Sequence, residues 1–514
     1  MLKIMNREKI LLVLIIIIGY ISIGTGIHSD DYPFLVNAGE LQLNESINII
    51  LNNKFSLLSF PNFLLETIQA HLFYTNYIMY DIIKIIVMLI SIYFIYSFSK
   101  PYMGPNNGLL FSLLFILFPI HETANLHPFS LYYILVPGLI MYGFHNISNG
   151  KLIKGIIFTV LGTFFSYGSL PYVFGLSLLF IFKKSFKKLV IFIFPQIIYI
   201  TYYFYTSLKY NILGMKTGSI TDLNAIIKQF IIQILSFLDS FIGPSFWLKV
   251  YISFQQLTVI SIIIGTIITL LFYKHMTINK TKVNRELLIS FIGVVFCGFG
   301  IYSLTGILPQ IVFGLGNRVT TYGSLLISLL IVYYLMNSKN NSVLVFTIFI
   351  FSLFGITDHW KKLEIKKNTI MYNVKNNKQL NSLEDNSTIY ISHNMYSKFG
   401  PISNIEIFTE SSPNWAMFKI ATGKDFKIVP LNSRCFIKKS NIIDPKKGII
   451  SEIIDPIKVY NTNEDKLYSL SFNQIAQYID LLPEDKRHWI QYLSEDHYIR
   501  KLAIFFMPRI DYIF

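Results

Sequence analysis

Three short stretches hold the residues best suited to chemistry. In "HSDDYPF", Asp30 and Asp31 follow His28 at the end of the first apolar run. Adjacent carboxylates can serve as a general base, as ligands for a hard cation, or as both. Their plain structural use is helix capping, because Ser, Asp and Pro begin helices and Pro33 lies just downstream. In "FPIHETANLHPFS", His121, Glu122 and His127 fall close together but do not match the H-E-x-x-H zinc pattern. An ordinary interfacial turn accounts for either His taken alone. Asp30, Asp31 and Glu122 together would make an oxygen-rich site of the kind that suits Mg²⁺ or Mn²⁺, although nothing in the sequence requires a metal. In "GLGNRVTTYGS", Arg318 stands at the start of an apolar segment, where an arginine must pair or snorkel to headgroups. A guanidinium grips phosphate through paired hydrogen bonds, and Gly314 and Gly316 would let the backbone approach it. A carboxylate and a cationic phosphate grip on one face suit a lipid phosphate at a membrane surface. The acid would deprotonate an acceptor hydroxyl and the arginine would stabilise the departing phosphate.

The elements that must position these residues are membrane spans. The chain is 53% hydrophobic and only 14% charged, against about 25% charged in soluble domains, and its mean hydropathy is +0.50. Runs such as "ILLVLIIIIGYISIGTGI" indicate a polytopic α-helical membrane protein. No small-residue cleavage site follows the first run, so it is expected to be retained as a span. About eleven spans are expected, near 10–27, 79–98, 108–121, 129–145, 155–167, 170–182, 189–206, 255–273, 287–304, 319–336 and 342–356. With the N-terminus inside, about 15 basic residues fall in inner loops and about 6 in outer loops, including Lys216, which predicts an N-in, C-out arrangement. Lys3 and Lys280 count among the inner residues and Asp222 among the outer acids. This asymmetry explains the net charge of +15 without nucleic acid.

The three chemical stretches then fall on one outer face. The first outer loop, 28–78, has helix-like apolar spacing and predicts amphipathic interfacial helices. Residues 207–254 read as further interfacial helices or a re-entrant pair. From 357 to 514 the chain turns polar, and a small extracytoplasmic α+β domain is expected. "STIYIS" and "SNIEIFT" read as strands there, and "PEDKRHWIQYL" as a helix with Pro483 in its first turn. Trp415, in "SSPNWAMFKIATG", is either a core residue or a sugar-stacking platform. The distant pair Cys297 and Cys435 supports neither a disulfide framework nor a metal motif.

"HSDDYPF" in a long first outer loop, with the later Glu/His loop and Arg318, resembles the GT-C superfamily of integral-membrane glycosyltransferases. The resemblance covers residues 1–356 and leaves the subfamily open; the oligosaccharyltransferase WWD signature is missing. It implies a polyprenyl-phosphate-sugar donor, a cell-surface glycan, lipid or protein as acceptor, and inverting chemistry on the extracytoplasmic side of the cell membrane. It further implies Asp30 or Asp31 as catalytic base. Arg318 would bind phosphate, and His28, His121, Glu122 and His127 would line the substrate site. An O-antigen-type polymerase or ligase is the alternative enzyme, but such enzymes use Arg and His of a large late loop, and the late loops here are short. A flippase or transporter would place ionisable residues within spans, where Asp81 and Lys84 are the clear candidates.

Overall fold

The computed structural model describes residues 7–28, 30–54, 56–210, 223–276, 282–305, 310–445, 448–453 and 456–506. Lys3, Lys216, Asp222 and Lys280, and the 211–222 part of the expected interfacial region, lie outside the described residues. Helix α1 (Arg7–Ser22) leads through a short loop into α2 (Asp31–Glu40), α3 (Leu43–Asn52) and α4 (Phe60–Phe73). The expected loop 28–78 is therefore largely helical. A capping box closes the start of α3, with the Gln42 amide donating to Glu45 Oε2 at 2.8 Å.

Helix α5 (Tyr77–Ile116) unites the second and third expected spans, but it breaks at Gly104 (φ 76°, ψ 170°), between Pro101 and Pro105. Each proline removes a helical hydrogen bond and the glycine supplies the left-handed turn. There follow α6 (Glu122–Leu126), α7 (Tyr132–Ser148), α8 (Leu152–Phe165), α9 (Leu170–Phe182) and α10 (Phe186–Tyr210). Then come α11 (Leu223–Phe241), α12 (Pro244–Gln255), α13 (Val259–His275), α14 (Arg285–Thr305), α15 (Thr321–Leu330) and α16 (Lys339–Asn376). Small residues let these helices approach closely: Gly143 on α7 meets Gly155 and Thr159 on α8, and Gly175 on α9 meets the Val294 backbone on α14. Among the described residues six helical stretches, not eleven, are long and apolar enough to cross a membrane, with four shorter apolar helices beside them.

The polarity change at residue 357 falls inside α16, which continues unbroken to Asn376. Asp358, Trp360, Glu364 and Lys367 are buried, so this polar stretch belongs to the helical bundle. Asp358 accepts from Tyr20 of α1 and from the amide and hydroxyl of Thr258, which caps α13. The strand-bearing part begins after α17 (Lys378–Asn381), with β1 (Thr388–Ser392), β2 (Tyr396–Phe399), β3 (Ile402–Glu406), α18 (Ser411–Thr422) and β4 (Lys427–Pro430). It continues through β5 (Phe436–Lys438), β6 (Asn441–Asp444), β7 (Gly448–Glu452), β8 (Ile457–Asn461), β9 (Lys466–Leu470), α19 (Phe472–Asp480) and α20 (Tyr498–Phe506). The main sheet has the order β4-β1-β8-β9; the first three strands are parallel and β9 is antiparallel.

Residues 483–488 form no helix, and only a short 3₁₀ turn, Trp489–Tyr492, follows. Their side chains make tertiary ties instead. Arg487 pairs with Glu406 at 2.6 Å, and His488 lies 3.1 Å from Asp239 of α11. Trp415 is half-buried on α18, donating to Asp425 at 2.6 Å with the Lys419 ammonium over its ring. Lys419 also pairs with Glu40, joining α18 to α2. Cys297 and Cys435 are not joined in a disulfide.

Candidate active site

The loop between α1 and α2 carries the acidic pair and is held from two sides by buried ion pairs. On α5, Lys84 donates to Thr25 Oγ1 (2.7 Å) and Gly26 O (2.8 Å) and pairs with Asp81 (2.9 Å). Asp81 in turn accepts from the Gly24 amide at 2.8 Å. On α16, Lys367 donates to Ile27 O and pairs with Glu364. Gly26 sits at φ +65°, and a Cβ there would strike the Glu364 carboxylate, so only glycine fits the turn. Asp81 and Lys84, the ionisable residues near the outer end of the second expected span, are thus engaged with each other and with this loop. His28 is buried, with Nε2 2.7 Å from Thr25 O and its ring edge-on to Trp360 at 4.5 Å. Burial, with Lys367 and His127 nearby, holds its pKa well below the usual histidine range. It anchors the loop as a neutral, buried ring.

Asp30 and Asp31 face different surroundings. Asp30 occupies the cap position of α2 but makes no capping hydrogen bond, and it is exposed. Asp31 is inaccessible to solvent. Its Oδ2 accepts from the His28 amide at 2.8 Å, and its Oδ1 lies 2.8 Å from His127 Nε2. His127 Nε2 also lies 3.1 Å from His28 O, so two acceptors select the tautomer protonated at Nε2. His127 Nδ1 then accepts from Ser130 Oγ (2.6 Å), which accepts from Arg318 Nη1 (3.0 Å). Hydrogen bonds run from Arg318 through Ser130 to His127, whose Nε2 lies within ion-pair distance of Asp31.

Arg318 lies over the Tyr133 ring at 5.6 Å, and Tyr133, Tyr132, Tyr167 and Asp30 are among the ionisable groups that act on its charge. Among the described residues no carboxylate comes within ion-pair distance of it. A small tyrosine-lined recess, containing Tyr132, Tyr172 and Tyr302, shares Tyr133 with this wall. Glu66 of α4 is buried and accepts from Asn62 at 2.6 Å. Burial first, and then Asp31, push its carboxyl well above the usual range; Asn62 and Arg318 oppose the shift.

Two predicted substrate residues point elsewhere. Glu122 is buried, and its Oε2 accepts from Lys249 Nζ of α12 and Asn317 Nδ2, each at 2.6 Å. Lys249 continues to Val312 O, so this ion pair staples α12 and α6 to the turn before Arg318. His121 is buried between Phe115 and Phe118 with Nδ1 2.8 Å from Ser324 Oγ, and burial pushes its pKa down to about 3. The glycines also serve packing. Gly314 N donates to Asn404 Oδ1 (2.7 Å), and Gly316 faces Ile311. Lys249 and Asn317 hold Glu122 by Oε2 while its Oε1 meets no hydrogen-bond partner among the described residues, both Asp31 oxygens face nitrogen donors, and Asp30 is exposed, so the trio presents no common set of free oxygens that would fit a Mg²⁺ or Mn²⁺ ion. Among the described residues no group of three or more His, Cys, Asp or Glu gathers as a metal site.

Ser130, Tyr133, Lys249, Asn317, Glu364 and Lys367 escaped the sequence reading. Ser130 closes the Glu/His stretch and Asn317 adjoins Arg318, so proximity in the chain could have flagged both. Glu364 and Lys367 have the i, i+3 spacing of a helical ion pair, but they sit in a polar run that resembles a soluble segment.

Among solved structures, ArnT from Cupriavidus metallidurans bound to undecaprenyl phosphate is similar to this chain at 9% sequence identity and a TM-score of 0.35, over 82% of this chain and 86% of that one. No family model and no curated protein matches. At that identity and TM-score the likeness carries no residue roles across.

Proposed function

We propose that the chain is a membrane glycosyltransferase that moves a sugar from a polyprenyl-phosphate donor to an acceptor hydroxyl on the extracytoplasmic face of the membrane. The observation that carries this reading is the environment of Arg318. Its guanidinium is walled by tyrosines, has no carboxylate within ion-pair distance among the described residues and is tied through Ser130 and His127 to the loop that bears Asp30. A charge so placed calls for an anion, and a phosphate matches its fork and the neighbouring phenol donors. Asp30 is the base because it is exposed and unengaged; Asp31 is a positioning residue that holds His127 and, through it, Ser130 and Arg318.

In the reaction Asp30 takes the proton of the acceptor hydroxyl as its oxygen attacks the sugar C1. The C1–O bond to phosphate breaks, and the electron pair leaves with the polyprenyl phosphate, whose charge Arg318 stabilises. One carboxylate acting on the acceptor side predicts inversion at C1. The test is transfer by purified protein from undecaprenyl- or decaprenyl-phosphate sugars. Asp30→Asn is expected to lower kcat by about 10²–10⁴-fold with expression intact. Arg318→Lys should raise KM for the donor as well, because an ammonium lacks the fork. Full activity in Asp30→Asn would sink the carboxylate-base mechanism. Movement of intact lipid-linked sugar across liposomes, without transfer, would replace the reading with a flippase.

A further inference from the structure

A cleft of about 480 Å³ opens on the face of α16 turned away from the acidic loop, within the range of about 300–1,000 Å³ typical of small-ligand sites. Trp360, Glu364 and Lys367 of α16 serve the loop; His359, Lys362 and Lys366, interleaved at helical spacing, line the cleft. The opposite wall is the end of the main sheet. His393 and Asn394 directly follow β1, Leu431 and Asn432 follow β4, and Asn463 lies just beyond β8. All three parallel strands therefore deliver their carboxyl ends to one crevice. Strand order also reverses at β1, because the chain runs from β1 to β4 on one side and later returns to β8 on the other. In open parallel sheets that is where ligands bind.

Two further features mark the crevice. His393 and Asn394 both adopt left-handed backbone, at φ 65° and φ 50°, which is strained for consecutive non-glycine residues. The charge in the cleft is one-sided. Lys362, Lys366 and Lys398 face a single carboxylate, Asp485, which Lys398 already pairs at 2.7 Å. Lys362 makes only a long contact of 3.4 Å to Gln256, and among the described residues no hydrogen-bond or ion-pair partner faces the Lys366 ammonium.

We propose that this cleft is a second binding site, for a small saccharide bearing a phosphate or carboxylate. The lysines of α16 hold the anion, and Asn394 Oδ1 with the Asn463 side-chain amide at the strand ends holds the hydroxyls, the Asn432 side chain being engaged by Asp444 and the Arg434 amide. The site lies across α16 from Asp30 and does not depend on the transfer reaction proposed above.

The test uses full-length protein in nanodiscs and isothermal titration with three probes: glucose 1-phosphate, glucuronate and neutral glucose. Saturable binding of at least one anionic probe is expected, at least tenfold tighter than glucose and weakened at least tenfold in Lys366→Gln. Phosphate is the cognate group if glucose 1-phosphate binds tighter, carboxylate if glucuronate does. The variant's melting temperature reports that its fold is intact, and Lys366→Arg should retain binding. No saturable binding of either anionic probe, equal binding of glucose, or an unchanged Kd in a folded Lys366→Gln protein would overturn the proposal.

Discussion

Asp30 and Asp31 are neighbours in the chain, yet only Asp30 is exposed. A base must reach an acceptor hydroxyl at hydrogen-bond distance, and Asp31 is closed off by His28 and His127. Kinetics should separate the two roles: Asp30→Asn loses kcat, whereas Asp31→Asn frees His127, lets Arg318 drift and raises KM for the donor by about tenfold or more. With no set of free oxygen ligands around Asp30, EDTA is expected to leave transfer unchanged, measured in the same assay before and after chelation. His121 makes a different prediction. Its folded pKa of about 3 lies below its ordinary 6.5, so below pH 6.5 the unfolded chain binds a proton that the folded chain does not. Stability should therefore fall as pH drops from 6.5 towards 3, by up to about 1.4 kcal/mol per pH unit from this group. His121→Leu should flatten that slope in thermal melts between pH 7 and 5.

Among the elements, the loop between α1 and α2 stands out because it lacks regular hydrogen bonding of its own. Its carbonyls at Gly26 and Ile27 are satisfied by Lys84 and Lys367, which arrive from helices on either side. Leaving such groups unpaired would cost about 1–3 kcal/mol each. Gly26→Ala combines a left-handed backbone with a collision against Glu364. It is expected to cost about 1–3 kcal/mol in thermal unfolding and to lower transfer more than a distant destabilised control does. A melting temperature and activity equal to wild type would show that the loop tolerates a shift.

Across the whole molecule, buried charge staples join segments far apart in sequence. Lys249 and Glu122 join α12 to α6 and to the turn before Arg318, so this pair sets the height of Arg318 relative to the acidic loop. Lys249→Met strands a buried carboxylate and is expected to cost about 3–5 kcal/mol, while Lys249→Met with Glu122→Gln should recover most of that loss. Equal destabilisation in the single and double variants would mean that packing of the Lys249 stem, and not its charge, is what matters. Glu40–Lys419 and Asp239–His488 join the strand-bearing part to α2 and α11 in the same manner.

The sequence by itself determined the character of the chain. Apolar runs require helices whose backbone groups pair internally, and strand alternation marked "STIYIS" and "SNIEIFT" as β1 and β3. It also marked the stretches holding Asp31, His127 and Arg318, because ionisable residues beside apolar runs stand out by composition. Only the tertiary structure decided which of these groups meet. Hydrogen bonds join Arg318, Ser130 and His127, and His127 meets Asp31 at ion-pair distance, so the contacts run from residue 31 to residue 318, and no local spacing encodes a contact of that range. The same distance sends Glu122 to Lys249 and His121 to Ser324, away from the acidic pair. The polarity shift at 357 falls within a continuous helix for a related reason: a helix end buried by its neighbours can be as polar as a soluble segment when its charges are paired, as Glu364 with Lys367. Local pattern records what each residue prefers; burial and partners, which assign its role, exist only once distant segments pack.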